Sequence, residues 1–471
     1  MRLTAGQIGD IVGGKVVVAD VTVGPDVVLD SRLATPGAMF VAIKGARVDG
    51  HDFVAAAVER GAVAALVSHD VGCAATQIVV ADVEAALTAL ARHIADEAIA
   101  AGMTILALTG SSGKTSTKDM LAQVLEPVGQ TVSPRGSYNS ELGLPITVTA
   151  VDDKTRFLVA EMGASKIGQI KWLCSIARPT VAAVLNVGSA HLGEFGSRAA
   201  IAQAKGEIVE ALSPNGWAVL NADDPLVAAM AARTAAGVVW FCPSGRAPAG
   251  CQRWVGATDV LLDDLGRASF RLVGRWPSGD FSEPVTLRTI GAHQVDNACA
   301  AAGLALCAGV APAVIAEGLS AAVARSAWRM EARHLRGGTL LLNDAYNANP
   351  DSVAAALHAV RHIVGARPGA TAVAVLGDML ELGDAAPAAH QAIGEQAAMA
   401  GVEVVAVGQF APDIAQGARR AGGQAHALSP GDVADWLGSK SFDIVLVKGS
   451  RGMGLETVAG TLVARRGEET Q

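Results

Sequence analysis

At 471 residues the chain is too long for one hydrophobic core, and about two to four domains are expected. A net charge of −8 with no basic run argues against nucleic-acid binding, and 51% hydrophobic residues, carried by Ala, Val and Gly, include no run long enough to span a bilayer. Six scattered cysteines (Cys73, Cys174, Cys242, Cys251, Cys299, Cys307) lack a CxxC pair or zinc spacing, and Gln7 and Asp10 break up the N-terminal apolar stretch. Reduced thiols and a cytoplasmic protein without membrane insertion are therefore expected.

Residues 1 to about 85 form the first expected unit. The run Val27–Arg32 reads as a strand with Asp, Ser and Arg at its tip. A helix from Phe53 to Val58, a stop at Gly61 and a strand AVAALV follow. Charged residues at a strand end are usually solvated, but Arg32, Lys44, Arg47 and His51 would add donors to one short region that could hold an anionic group. The helix 83–101 reads as a connector.

The second unit, residues 86–326, opens on TILALTGSSGKTST (Thr104–Thr117). An apolar strand, a turn of small residues and a helix from Lys114 to Leu125 make a ready anion site, because backbone N–H groups and the positive helix end converge there. Lys114 would reach the terminal phosphates and the Thr115 hydroxyl would ligate Mg²⁺. Leu108 stands where a strict P-loop has glycine. The stretch 134–148 reads as a loop. Further strands end at Glu161 and shortly before His191, so P-loop, carboxylate and imidazole share the carboxyl edge of what should be a parallel sheet, where ligands bind. A carboxylate and an imidazole there could hold the metal of a nucleotide site; the plain alternative is a solvated Glu and a capping His. Lys205 falls inside the helix 198–212, where a lysine is ordinarily solvated. Residues 219–224 read as a strand, about 235–290 as β-rich, and 291–310 as a helix with His293 and Asn297 one turn apart.

The third unit, residues 327–471, opens with a strand ending at Asp344, an Asn/Pro turn and a helix. The stretches 371–383, 402–408 and 442–456 repeat an apolar strand with a polar, glycine-bearing tip. This is a second open α/β sheet, Rossmann-like in outline but without GxGxxG.

Taken together, TGSSGKTST, EMGAS, LNVGSAHLGEFGS with the AQAKGEI helix, GAHQVDNA, RME and DAYNANPDS resemble the Mur ligases, which build the peptide stem of bacterial peptidoglycan. The resemblance covers nearly the whole chain. It implies a three-domain α/β architecture, with a UDP-substrate domain, a central P-loop ATPase sheet and a C-terminal Rossmann-like sheet. Leu108 fits, since the glycine is missing in that family too. DSR with GARVDGHDF, GSYNSELGLP, DAYNANPDS, LGDMLELG and VKGSRGMGLE resemble the member that joins D-alanyl-D-alanine to UDP-N-acetylmuramoyl-tripeptide (UDP-MurNAc-tripeptide).

The resemblance implies roles residue by residue. Gly110, Ser111, Ser112, Gly113, Lys114, Thr115 and Ser116 would hold the ATP phosphates. His293 and Asn297 would lie at adenine, while Arg329 and Asp344 would reach phosphate and ribose from the third unit. Thr115, Glu161, His191 and an N-carboxylated Lys205 would hold two Mg²⁺ ions, with Lys114, Lys205 and His191 the catalytic set. Ser31, Arg32, Lys44, Gly45, Arg47 and Asp49 would bind the uridine diphosphate, and Tyr138, Asn139 and Glu141 the peptide. Ser140 stands where the family commonly has a second Asn. Tyr346, Asn347, Asn349, Lys448 and Arg451 would border D-Ala-D-Ala. ATP would activate the tripeptide carboxylate as an acyl phosphate for attack by the dipeptide amine, and the third unit would close on the second. The small-molecule substrates would meet on a chain acting as a monomer. Rival readings are the preceding ligase MurE, a folylpolyglutamate synthase, a P-loop switch protein and a dehydrogenase. The YNANP segment and the uridine-type first unit argue against the two ligases, the second sheet with its own polar strand tips against the switch protein, and the missing dinucleotide fingerprint against the dehydrogenase.

Overall fold

In the computed structural model, which describes residues 2–45, 48–134 and 136–469, the apolar runs pair into three main sheets in chain order, with a small two-stranded sheet beside the first. The first main sheet has five strands, in the order Lys15–Val17, Thr76–Val79, Ala64–Val67, Met39–Val41 and Val27–Val28. The helix Val83–Ala100 starts at Asp82, whose carboxylate accepts from Glu84 N (2.9 Å) and Ala85 N (3.0 Å). Its buried stripe of Leu87, Leu90, Ala91 and Ile94 packs against the helices Ala5–Val12, Gly143–Thr149 and Gln169–Ile176, so the connector joins the cores of two units.

The middle sheet has nine strands. The strand Thr104–Thr109 lies between Phe157–Glu161 and Val181–Val184, all three parallel. Their side chains alternate between two cores. Ile105, Ala107, Leu158, Ala160, Ala182 and Val184 face one side, and Leu106, Leu108, Phe157, Val159, Val181 and Ala183 the other. Burial on both faces is why these strands read as continuous apolar runs. Each buried Val, Leu, Ile or Phe among them stabilises the sheet by about 1.5–3 kcal/mol, the alanines by less. The parallel pattern ends at Trp254–Leu262, after which Arg267–Trp276 and Gly279–Ile290 pair antiparallel and account for the β-rich stretch.

The third sheet runs Glu331–Leu335, Thr339–Asp344, Ile444–Lys448, Ala372–Leu376, Glu403–Val407 and Ala425–Leu428, parallel except for its first strand. Asp344 and Lys448 are register partners at its carboxyl edge.

One expected loop is in part a helix. Residues 134–148 were expected to lack an element, but Gly143–Thr149 is α-helical. Leu144 and Val148, one turn apart, are fully buried against the connector helix, and Pro145 falls in the first turn, where its missing N–H costs no helical hydrogen bond. Density of Gly, Ser and Asn just upstream masked that short apolar pair.

Candidate active site

The P-loop leaves the central strand and turns into the helix Lys114–Leu125 through Gly113, whose φ of +79° suits glycine. A Cβ there would also lie 2.2 Å from Asn297 Oδ1. Leu108 belongs to the strand and is fully buried, so it serves the core and leaves the cradle to residues 110–115. Asn186 pins the loop: its Oδ1 accepts from Ser111 N (3.0 Å) and Ser112 N (2.9 Å), and its Nδ2 donates to Ser112 O (3.2 Å). Lys114 Nζ donates to Gly110 O at 2.7 Å. Burial holds the Lys114 ammonium below its ordinary pKa, with Glu161 opposing and Arg329 adding to the shift.

The flanking strands bring the acidic and imidazole groups to the same edge. Glu161 is buried; Asn139 Nδ2 donates to its Oε1 at 2.6 Å, and its Oε2 has no partner among the described residues. An orphaned buried carboxylate oxygen in the same cavity as the P-loop Thr115 suits a hard divalent cation. His191 sits at φ +59° with Nδ1 2.6 Å from Glu381 Oε2 and 3.6 Å from Glu194 Oε2. Lys205 is not the solvated helix lysine that its setting in the sequence suggests. It is buried, and burial together with the Lys114 charge pushes its ammonium well below the ordinary lysine range. A neutral buried amine is the form that can take up CO₂.

The third unit supplies the opposite wall. Arg329 Nη2 donates to Thr115 Oγ1 at 3.0 Å, and its guanidinium stacks 4.1 Å from the centre of the Tyr346 ring. Trp328 and Met330 on either side of it have φ of +61° and +49°, so the backbone is held in a left-handed conformation on both flanks. Lys448 Nζ lies 2.5 Å from Asp344 Oδ2 and donates to Asn347 O at 2.9 Å. Asp344 Oδ1 accepts from Met330 N at 3.0 Å. Burial lowers the His293 pKa, with the Asp344 charge opposing and Lys448 adding to the shift. The Tyr346 hydroxyl pairs with Ser137 of the middle unit.

These groups line one cavity of about 610 Å³ between the second and third units. It gathers Ser111, Ser112, Gly113, Lys114, Thr115 and Ser116 with Glu161, His191, His293, Asn297, Arg329 and Asp344. Asn139, Ser140, Glu141, Tyr346, Asn347, Asn349, Lys448 and Arg451 line it too. Gly110, whose carbonyl accepts from Lys114 Nζ, and the buried Lys205 do not line it.

The expected uridine diphosphate residues lie elsewhere. Ser31, Arg32, Lys44, Gly45 and Asp49 do not line the cavity, and nor does Tyr138, which is 44% exposed. Arg32 is solvent-exposed and pairs with Asp30 at 2.7 Å. His51 adds no free donor, because it is buried with Nδ1 2.6 Å from Asp49 and Nε2 accepting from Ser68 N at 2.9 Å. Arg47 lies outside the described residues.

Asn186, Asp351 and Glu381 are among the cavity residues that the sequence reading does not single out. Asn186 has a signal in hindsight, since it lies two residues past a parallel strand beside the P-loop strand. Asp351 Oδ2 accepts from Ser189 N (2.9 Å) and Ser189 Oγ (3.0 Å), and a Cβ on Gly188 would come within 2.3 Å of it. Glu381 meets His191, and its carbonyl accepts from Gly193 N at 3.0 Å. The last two bind across units, a relation no local pattern encodes.

Three family models match in order: the Mur ligase family catalytic domain over residues 26–110, the Mur ligase middle domain over 108–305, and the Mur ligase glutamate ligase domain over 328–451. The UDP-N-acetylmuramoyl-tripeptide–D-alanyl-D-alanine ligase of Mycobacterium tuberculosis (strain ATCC 25618 / H37Rv) is 41% identical, with 98% of each chain covered. The chain belongs to the Mur ligase family. Among solved structures, MurF from Acinetobacter baumannii superposes with a TM-score of 0.83 at 32% identity, covering 98% of this Mur ligase and 99% of that chain. The MurF ligase from Thermotoga maritima in complex with ADP gives 0.73 at 28% identity, covering 93% and 96%.

Proposed function

We propose that this Mur ligase joins D-alanyl-D-alanine to UDP-MurNAc-tripeptide at the expense of ATP, in the cytoplasmic synthesis of peptidoglycan precursors. One observation carries the reading: a single cavity unites a P-loop, an orphaned carboxylate and a polar wall from the third unit, in a chain whose full-length relatives are named for this reaction. Residues 1–85, 86–326 and 327–471 are taken as the UDP-substrate, ATP and D-Ala-D-Ala domains. The protein acts as a monomer without nucleic acid. Among the described residues no helix is long and apolar enough to cross a membrane.

The tripeptide carboxylate attacks the γ-phosphorus of ATP, the bond to the bridging oxygen breaks, and ADP leaves. The dipeptide amine then attacks the acyl phosphate carbon, and the tetrahedral intermediate loses phosphate and a proton to give the amide. Both steps bring negative groups together, so the site has to supply positive charge rather than a side-chain nucleophile. Lys114 turns from Gly110 O to the terminal phosphates, and Arg329 approaches them from the third unit. Gly110 to Ser116 cradle the phosphate chain, His293 and Asn297 border adenine, and Asp344 reaches the ribose.

Thr115, Glu161, His191 and a carboxylated Lys205 would hold Mg²⁺, two ions in all, which when bound neutralise phosphate charge. Asn139 and Glu141, with Tyr138 outside the cavity, follow the peptide. Tyr346, Asn347, Asn349, Lys448 and Arg451 orient the dipeptide. Ser31, Arg32, Lys44, Gly45 and Asp49 hold the uridine diphosphate outside the cavity. Closure would exclude water, which would otherwise hydrolyse the acyl phosphate. The test is mass spectrometry of the nucleotide product. A species heavier by one D-Ala-D-Ala less one water is expected; an unchanged substrate mass beside ADP would overturn the reading.

A further inference from the structure

A buried cation on the P-loop helix takes no part in the proposed chemistry. Lys118, on the P-loop helix, is 2% exposed. Its Nζ lies 2.6 Å from Asp119 Oδ1 and donates to Pro134 O (2.9 Å), Gly136 O (3.0 Å) and Ser326 Oγ (3.5 Å). Pro134 and Gly136 open the segment that carries Ser137, Asn139 and Glu141 to the cavity. Ser326 stands three residues before Arg329, which touches Thr115.

The same helix grips the segment leading into the third unit at further points. Asp119 Oδ2 accepts from Ser326 N at 3.0 Å. Gln123 Nε2 donates to Val323 O (2.9 Å), and its Oε1 accepts from Val323 N (3.1 Å). Arg325 pairs with Glu126. Asp119, Gln123 and Glu126 follow at helical spacing, so one face of the helix that starts at the phosphates holds this segment.

We infer that Lys118 is a positioning residue for the ligation: its single ammonium fixes the peptide-binding segment and the entry to the third unit against the P-loop helix. An uncharged side chain could not satisfy two carbonyls and the Asp119 charge together in a buried site, which is the physical reason for a lysine here. Both points it fixes lead into the cavity wall, so a loosened Lys118 displaces the tripeptide carboxylate relative to the γ-phosphate. A misplacement of about 1 Å at that separation costs on the order of a hundredfold in rate.

The kinetic side of this inference rests on the ligase reading above, and the test separates the two. Lys118→Met is made in an Asp119→Asn background, so that no unpaired charge stays buried and Ser326 N keeps its acceptor; Lys118→Arg is the conservative partner. Amide hydrogen exchange of the substrate-free protein is read first. About tenfold faster exchange confined to residues 136–141 and 323–328 is expected in the methionine variant, with protection largely restored by arginine. The KM for UDP-MurNAc-tripeptide should rise about tenfold while the affinity for an ATP analogue changes less than about twofold. Unchanged exchange, or a uniform increase along the chain, overturns the inference whatever the enzyme turns over. A fall in kcat common to both substrates is expected, whereas equal losses of binding affinity for the tripeptide and the ATP analogue overturn the inference as well. A wild-type protein inactive on the tripeptide would refute the ligase reading alone, leaving the exchange result to decide this one.

Discussion

Arg329 and Thr115 are 214 residues apart in sequence, yet the guanidinium of one donates to the hydroxyl of the other at 3.0 Å. The third unit therefore touches the P-loop at the residue expected to hold metal. Arg329→Ala should lower kcat/KM for ATP by about 10²–10³-fold, on the order of 3–4 kcal/mol of transition-state stabilisation. Arg329→Lys should recover only part of this, because an ammonium lacks the planar fork and the stack on Tyr346. Steady-state kinetics with ATP varied decide it; a Lys variant equal to wild type would count against a fork-dependent role.

Glu161→Gln keeps an acceptor for Asn139 and removes one charge. Activity should fall about a hundredfold or more, and Mn²⁺ bound in the presence of a non-hydrolysable ATP analogue, read by electron paramagnetic resonance, should weaken by about 10–100-fold. Unaltered Mn²⁺ binding would remove Glu161 from the metal site.

The buried Lys205 amine, held well below the ordinary range, should be carboxylated in solution. Protein equilibrated with ¹³C-bicarbonate is expected to show one carbamate carbon resonance that is missing in Lys205→Ala. That variant should lose about a hundredfold or more in kcat if a negative group is needed there. A wild-type spectrum without the resonance would contradict the modification.

His390 links the third unit to pH. Its Nε2 accepts from Met379 N at 2.8 Å and its Nδ1 contacts Ala386 O at 2.6 Å, an arrangement that suits the neutral ring. Burial lowers its pKa, although Ala386, Asp378 and Asp413 oppose the shift. With the folded value below the unfolded one, the stabilisation is full above the unfolded value of about 6.5 and is lost as pH falls through the folded value. Melting temperature should drop on acidification below about pH 6.5, and His390→Phe should melt lower at neutral pH with a shallower acid slope. Equal slopes would show that another group carries the acid sensitivity. Since Met379 begins the turn bearing Glu381, activity should fall in the same window.

Much of the site was legible because its chemistry sits at strand ends. The P-loop, Glu161 and His191 each follow an apolar run, and parallel pairing delivers neighbouring strand tips to one edge. Short-range pattern also gave the third sheet, where Asp344 and Lys448 meet across two strands. Local pattern gave no relation across units; Arg329 and Asp344 were reached only through the family resemblance. Asp351 reads as an ordinary first-turn acid of a helix, and only the fold sets it on Ser189. Lys205 illustrates a different limit, since helical periodicity around it was too weak to tell a buried face from a wet one. The helix Gly143–Thr149 was hidden by the turn-forming residues that precede it.

The central claim is that ATP cleavage here is tied to amide formation between two specific substrates. Phosphate release should be measured from ATP and Mg²⁺ with UDP-MurNAc-tripeptide, with and without D-Ala-D-Ala. Sustained release only when both substrates are present is the predicted result. Release indifferent to D-Ala-D-Ala would contradict the account and leave a P-loop hydrolase or a ligase for another amine.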